Sequence, residues 1–250
     1  MKALITGASS GIGREFAVLL SKIGVETILV ARREDKLRQL ADTLEPKSEI
    51  IVCDLSEPGS AKELFEKAPD IDILINNAGF GAFGEFDKVD LERELELINV
   101  NVTALHTLTK LYLQKFKEKN EGYILNVASI ASFLPGPLFA SYYASKAYVV
   151  KLTSAIHHEQ KRSRSNIKVS CLCPGPVVTE FFDVAGVIFG PLGMDAAKVA
   201  KIALSGMFKG KRLIVPGAFF KFGRIFSLFV PETLLAKLMA RLQLAKNPKK

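Results

Sequence analysis

This chain of 250 residues predicts a doubly wound α/β fold, a parallel sheet of about seven strands with helices on both faces. Two observations carry that expectation. Seven short apolar runs, KALIT, VETILV, SEIIVC, IDILIN, GYILNVAS, NIKVSCLC and KRLIVP, alternate with longer stretches of helical periodicity, the pattern of βαβ units whose strands are buried on both faces. The first run passes through a glycine-rich turn into an amphipathic stretch, REFAVLLSKI. Right-handed crossovers between parallel strands then carry helices to both faces.

With 48% hydrophobic and 24% charged residues, and with no repeat or long linker, residues 1–250 read as a single domain. From about residue 216 the texture changes to Phe- and Leu-rich, and 216–250 reads as an apolar C-terminal extension. It could serve as a dimer contact, a pocket cover or an interfacial membrane segment with basic flanks. The start, MKALITG, runs directly into strand-like sequence without the pattern of a signal peptide. The most apolar late stretch, PGAFFKFGRIFSLFVP, is interrupted by Lys221 and Arg224 and falls short of the ~20 apolar residues of a membrane span. The expected location is cytoplasmic, with peripheral membrane contact left open.

The formal charge of +8 collects partly in KRSRSNIK (161–168) and in the terminal KNPKK. It suits an anionic cofactor or membrane face, and nucleic acid is disfavoured because no aromatic residues interleave with the basic clusters. Cys53, Cys171 and Cys173 fall in apolar runs and lack a matching His or Cys cluster, so buried thiols are expected and no metal site.

TGASSGIG, Thr6 to Gly13, has the chemistry of a phosphate cradle. Glycines allow a tight turn and close backbone approach, and the helix N-terminus offers free N–H groups and a favourable dipole. Gly7, Ser9, Gly11, Ile12 and Gly13 are therefore expected at a dinucleotide. An NAD-selective site usually carries an acid at the end of the second strand; here VETILV ends in Ala31, Arg32 and Arg33. Guanidinium groups suit a 2′-phosphate, so NADP is favoured over NAD, with Arg32 and Arg33 as its contacts. Glu34 and Asp35 fit the first turn of the next helix.

In SYYASK, 141–146, either Tyr142 or Tyr143 could pair with Lys146, because i,i+3 and i,i+4 neighbours both meet on a helix. A nearby ammonium favours a phenolate and makes the tyrosine a better proton donor.

Taken together, TGASSGIG, CDL (53–55), NNAG (76–79) and YYASK resemble the short-chain dehydrogenase/reductase family, in its short single-domain branch. The resemblance implies a Rossmann-type fold and an oxidoreductase moving a hydride between a nicotinamide and a carbonyl or alcohol carbon. It implies Asp54 at the adenine with Leu55 beside it, and Asn76, Ala78 and Gly79 along the ribose. PGPVVT (174–179) resembles the loop that holds the carboxamide, through Val177 and Thr179. The family pattern YxxxK implies Tyr142 as acid or base and Lys146 as its electrostatic partner, also bonded to the ribose. Ser129, closing NVAS, would position the substrate oxygen. Asn101, rather than Asn99, would hold a water linking Lys146 to solvent. Family members are often dimers or tetramers, so a homo-oligomer is expected.

The substrate region is expected in GFGAFGEF (79–86), the segment after Ser129, and a lid over 180–194. Their Phe, Gly and aliphatic content suits a lipophilic ketone, aldehyde or alcohol. A non-catalytic NADP-binding or membrane-surface protein is the alternative, whose mark would be a missing catalytic group.

Overall fold

The computed structural model describes residues 1–186 and 193–245. Among the described residues seven parallel strands form one sheet, in the order β3-β2-β1-β4-β5-β6-β7. They are β1 (Lys2–Thr6), β2 (Glu26–Ala31), β3 (Glu49–Val52), β4 (Ile73–Asn76), β5 (Tyr123–Val127), β6 (Lys168–Leu172) and β7 (Leu213–Ile214). Each corresponds to one of the seven apolar runs. The strand order reverses between β1 and β4, which leaves a crevice above their carboxyl ends, the place where such sheets bind ligands.

The two-residue period of a strand sends alternate side chains to opposite faces. In β1, Ala3 and Ile5 enter one core, where they meet Phe16 and Leu20 of α1 (Gly11–Ser21) and Leu37 of α2 (Glu34–Ala41). Val199 and Ala203 of α8 (Ala196–Phe208) complete that layer. Leu4 points the other way, into a second core with Leu64 of α3 (Ser60–Lys67) and Leu108, Tyr112 and Phe116 of α5 (Leu105–Lys119). Because both faces are covered, the strands carry no polar alternation, which is why their sequences read as continuous apolar runs.

A long helical stretch leads into α5. It begins as α4 (Leu91–Ile98), opens into a π-turn over Asn99–Ala104, and continues as α5 without a break. Single π-turns inside α-helices are frequent at functional positions. On the same side lies α6 (Ala140–Arg162), which carries the two tyrosines and the lysine. Beyond β6 come α7 (Phe181–Ala185), α8 and β7, followed by α9 (Ala218–Ser227) and α10 (Glu232–Leu244). The expected lid, 180–194, is described only at its two ends, and 187–192 lie outside the described residues. The last five residues of the C-terminal extension, 246–250, also lie outside them.

Candidate active site

A cleft of about 500 Å³ opens above the carboxyl ends of the strands. It runs from the turn after β1, past the ends of β2 and β4, to the N-terminal part of α6.

The phosphate end is built by the turn between β1 and α1. Gly7 and Gly11 have φ of +66° and +54°, values that side chains rarely adopt. Ser10, the N-cap of α1, makes no side-chain capping bond, so the first-turn N–H groups of α1 lack that internal acceptor. They fit a pyrophosphate, which the helix dipole also favours. Gly13 is a close-packing residue: a Cβ there would lie 2.2 Å from the Gly7 carbonyl oxygen and 2.5 Å from Asn77 Nδ2. Gly13→Ala is therefore expected to push α1 from the cradle and weaken dinucleotide binding at least tenfold, measured by quenching or calorimetric titration. Unchanged affinity would refute this packing role.

Arg32, Arg33, Asp54 and Leu55 line the adenosine end. The Arg32 guanidinium lies 3.6 Å from the Asp54 carboxylate, both partly exposed. Desolvation pushes the Asp54 carboxyl upward, but hydrogen bonds from Ser56 and the charge of Arg32 outweigh it and hold the group below its ordinary value. Arg33 donates to Ser9 Oγ at 3.2 Å and to Glu180 Oε2 at 2.7 Å, so it spans the cradle and the segment leading into α7. Glu34 and Asp35 sit in the first turn of α2, with Glu34 bonded to Arg38. The end of β2 thus presents guanidinium groups and no carboxylate of its own.

At β4 the structure corrects one sequence expectation. Asn76 does not reach the cleft; its side chain is buried, donating to Thr109 Oγ1 at 3.0 Å and Asn126 Oδ1 at 2.9 Å. The next residue, Asn77, lines the cleft and donates through Nδ2 to the Thr6 carbonyl oxygen. The reason is the strand period, since neighbouring side chains face opposite ways. Thr6 Oγ1 accepts from the backbone N–H of Asn77 and Ala78, both at 3.0 Å, and locks this loop to β1. Ala78 and Gly79 line the cleft, as do Val177 and Thr179 from the loop after β6. A Cβ on Gly11 would lie 2.8 Å from Thr179 Cγ2, so this loop closes directly against the cradle.

At the far end Ser129, Tyr142 and Lys146 come together. Ser129 ends the chain's path out of β5 and caps the short 3₁₀ turn Ile130–Phe133, accepting from the Ala131 N–H at 3.1 Å. Burial raises the Tyr142 hydroxyl well above its ordinary value, while a hydrogen bond with the Ser129 side chain acts in the opposite direction. Lys146 is buried, donates to the Val127 carbonyl oxygen at 3.0 Å, and has its Nζ 5.9 Å from the Tyr142 ring centroid. Burial lowers its pKa to about 8, opposed by the Cys171 and Cys173 thiols. Tyr143 is differently engaged: its hydroxyl accepts from Gln243 Nε2 of α10 at 2.8 Å.

Asn101 sits in the π-turn, fully buried and outside the cleft wall. Its Oδ1 accepts from the Phe80 N–H at 3.1 Å, and its Nδ2 donates to the Phe80 carbonyl at 3.0 Å and Ser145 Oγ at 3.1 Å. A Cβ on Gly79 would meet Asn101 Oδ1 at 2.9 Å and Lys146 Nζ at 3.0 Å, so a side chain there would displace one of them. The Asn101 amide thereby fixes the loop that follows β4.

The wall around Tyr142 is apolar. Phe139 and Phe181 have ring centroids 6.0 and 5.2 Å from that of Tyr142, and Ile130, Leu134 and Val184 continue the lining. Residues not named individually from sequence also contribute, notably Glu180 opposite Arg33, at the start of the expected lid, and Met239 and Gln243 of α10 in the C-terminal extension. Leu235, Met239 and Gln243 share one helical stripe at i,i+4 spacing, a signal visible in the sequence but without a known partner.

A parallel sheet with a dinucleotide cradle at its switch point and a Ser, Tyr and Lys group at the far end of the same cleft defines a nicotinamide-dependent oxidoreductase of alcohol and carbonyl groups. The comparisons with known proteins give the family. The family model described as short chain dehydrogenase matches residues 1–185. The chain belongs to that family. It is 29% identical over 251 residues to a very-long-chain 3-oxoacyl-CoA reductase of Anas platyrhynchos, covering 95% of this chain and 78% of the relative. Among solved structures it resembles a short-chain dehydrogenase from Sphingobium yanoikuyae in complex with NADPH, with TM-score 0.83 and 30% identity over 91% of this chain and 93% of that one. It also resembles a short chain dehydrogenase/reductase from Burkholderia phymatum in complex with NAD, with TM-score 0.79 and 26% identity over 89% of this chain and 91% of that one.

Proposed function

We propose that this protein is an NADP(H)-dependent reductase or dehydrogenase acting on a lipophilic ketone, aldehyde or alcohol. The observation that carries the reading is one cleft joining two arginines at its adenosine end to a Ser129, Tyr142 and Lys146 group in an apolar wall at the other. Bound there, the nicotinamide supplies or takes up the hydride.

The protein's own residues would do the rest. Ser129 and Tyr142 hold the substrate oxygen, and Tyr142 gives it a proton in reduction or takes one in oxidation. Lys146 stabilises the phenolate that forms and holds the ribose. Asn101 acts as a positioning residue, because its bonds to Phe80 and Ser145 set the backbone beside Gly79 and Lys146. Both Nδ2 protons of Asn101 are engaged, so a water linking Lys146 to solvent would be held by another atom of this residue.

The cofactor preference rests on Arg32 and Arg33. With Ser9, they offer a 2′-phosphate a hydroxyl and two guanidinium groups within one short arc. The NADPH complex of the Sphingobium relative agrees with this choice, and the NAD complex of the Burkholderia relative makes it one to test. Arg32→Asp is expected to lower the ratio of kcat/KM for NADP over NAD at least tenfold; an undiminished ratio removes Arg32 from the assignment.

Substrate class rests on the aromatic and aliphatic wall, in keeping with the acyl-CoA reductase relative. The test is a panel of carbonyls and alcohols followed by nicotinamide absorbance. Long-chain or cyclic substrates are expected to outperform small charged ones, and the reverse order overturns the reading.

A further inference from the structure

Helices α9 and α10 carry an apolar face that nothing else in the described chain covers. On α9, Phe219, Phe222 and Phe226 lie on one side at i,i+3,i+7, and Phe229 follows; all four are between 68% and 81% exposed. On α10, Leu234, Leu238 and Leu242 form an exposed row at i,i+4,i+8. Other sides of the two helices are anchored. Phe220 packs so tightly on Gly175 that a Cβ there would approach within 2.3 Å, and the Arg224 guanidinium lies 5.1 Å from the centre of the Phe133 ring. Leu235 and Gln243 are buried, with Gln243 and Met239 lining the cleft. The exposed row is therefore the outer surface of a roof whose inner surface is the active-site wall.

The charge around this face selects its occupant. Residues 216–245 carry Lys221, Arg224, Lys237 and Arg241 against Glu232 as the single acid. At 100° per residue, Lys237 and Arg241 form a row about 60° around α10 from the Leu row, where long cationic side chains can reach outward beside a buried apolar stripe. A second copy of the chain would fit poorly, because an isologous contact lays the same patch on itself and opposes these cations with almost no acid to pair them. No helix among the described residues is long and apolar enough to cross a membrane.

We propose that α9 and α10 dock in plane on an anionic phospholipid bilayer, with the Phe and Leu rows in the headgroup and acyl boundary and Lys237 and Arg241 among the phosphates. The roof of the cleft then faces the lipid phase. The binding surface stands independently of the cofactor and substrate assignments; only its use as an entry route for substrate rests on the lipophilic reading.

The test is co-sedimentation of the full chain with vesicles of phosphatidylcholine alone and mixed with phosphatidylglycerol, at low and high salt, with light scattering of the free protein. Binding to mixed vesicles is expected to exceed that to phosphatidylcholine at least tenfold and to weaken with salt. The Phe222→Ser, Phe226→Ser pair and the Lys237→Glu, Arg241→Glu pair are each expected to lower it at least tenfold, with melting temperature and turnover of a water-soluble substrate unchanged. No binding to mixed vesicles by folded protein overturns the proposal. So does binding that neither pair alters, or a wild-type dimer that the Phe pair converts to monomer without any vesicle binding.

Discussion

Tyr142→Phe is expected to lower kcat by roughly a hundredfold or more while leaving NADP(H) affinity within a few fold. The phenol ring stays, so its contacts with Phe139 and Phe181 survive, and only the hydroxyl that meets Ser129 is removed. The buried Lys146 Nζ lies 5.9 Å from the centre of the same ring, and in the proposed mechanism this hydroxyl exchanges a proton with the substrate oxygen. Tyr143→Phe is the control. It removes the acceptor for Gln243 and loosens α10, a change worth about 1 kcal/mol, so it is expected to alter KM by no more than about fivefold. Single-turnover kinetics and cofactor titration separate the two. Loss of turnover in Tyr143→Phe with activity retained in Tyr142→Phe would reverse the assignment.

Lys146→Met is expected to abolish measurable turnover and, in the cofactor-free protein at pH 7, to raise stability. Burial lowers the Lys146 pKa from 10.5 to about 8, because the ammonium has lost its water and found one backbone acceptor, the Val127 carbonyl. The folded chain therefore holds fewer protons than the unfolded chain between about pH 8 and 10.5, and stability rises with pH across that window. Below pH 8 the burial cost is borne in full, on the order of 3 kcal/mol. Methionine removes it while preserving much of the volume, so the melting temperature at pH 7 is expected to rise by about 5 °C or more. The advantage over wild type shrinks toward pH 10. Calorimetric melts at three pH values check this; a variant less stable than wild type at pH 7 would show that the ammonium is well compensated.

The two variants together describe a site kept at a stability cost. An ammonium placed where a methyl group would be more stable makes physical sense when it stabilises charge elsewhere, which in the proposed mechanism is the phenolate of Tyr142. NADP(H) binding, which brings ribose hydroxyls to this region in the proposed mode, is expected to offset part of that cost.

The order of layers and the position of the cleft were legible in the sequence because they depend on local rules. A strand covered on both faces is apolar over most of its length, a glycine with positive φ must follow β1 if α1 is to start there, and Glu34 and Asp35 in the first turn of a helix favour its dipole. The TGASSGIG turn and the Arg32, Arg33 pair at the end of β2 follow from such neighbours in the chain. Their spacing also narrowed the proton donor to two adjacent tyrosines.

Only the tertiary structure decided what each side chain meets. Asn76 and Asn77 are interchangeable in composition, and the direction of the strand sends the first into a buried amide cluster and the second to the cleft. Tyr142 and Tyr143 are both one turn from Lys146, and they part company because one reaches Ser129 from β5 while the other meets Gln243, 100 residues along the chain. Glu180 opposite Arg33 is 147 residues away. Periodicity and turn chemistry act over a few residues, so the sequence determined the sheet, its helices and the end of each strand where chemistry gathers. Hydrogen-bond partners across the cleft depend on how those elements are stacked, and no local spacing encodes that distance.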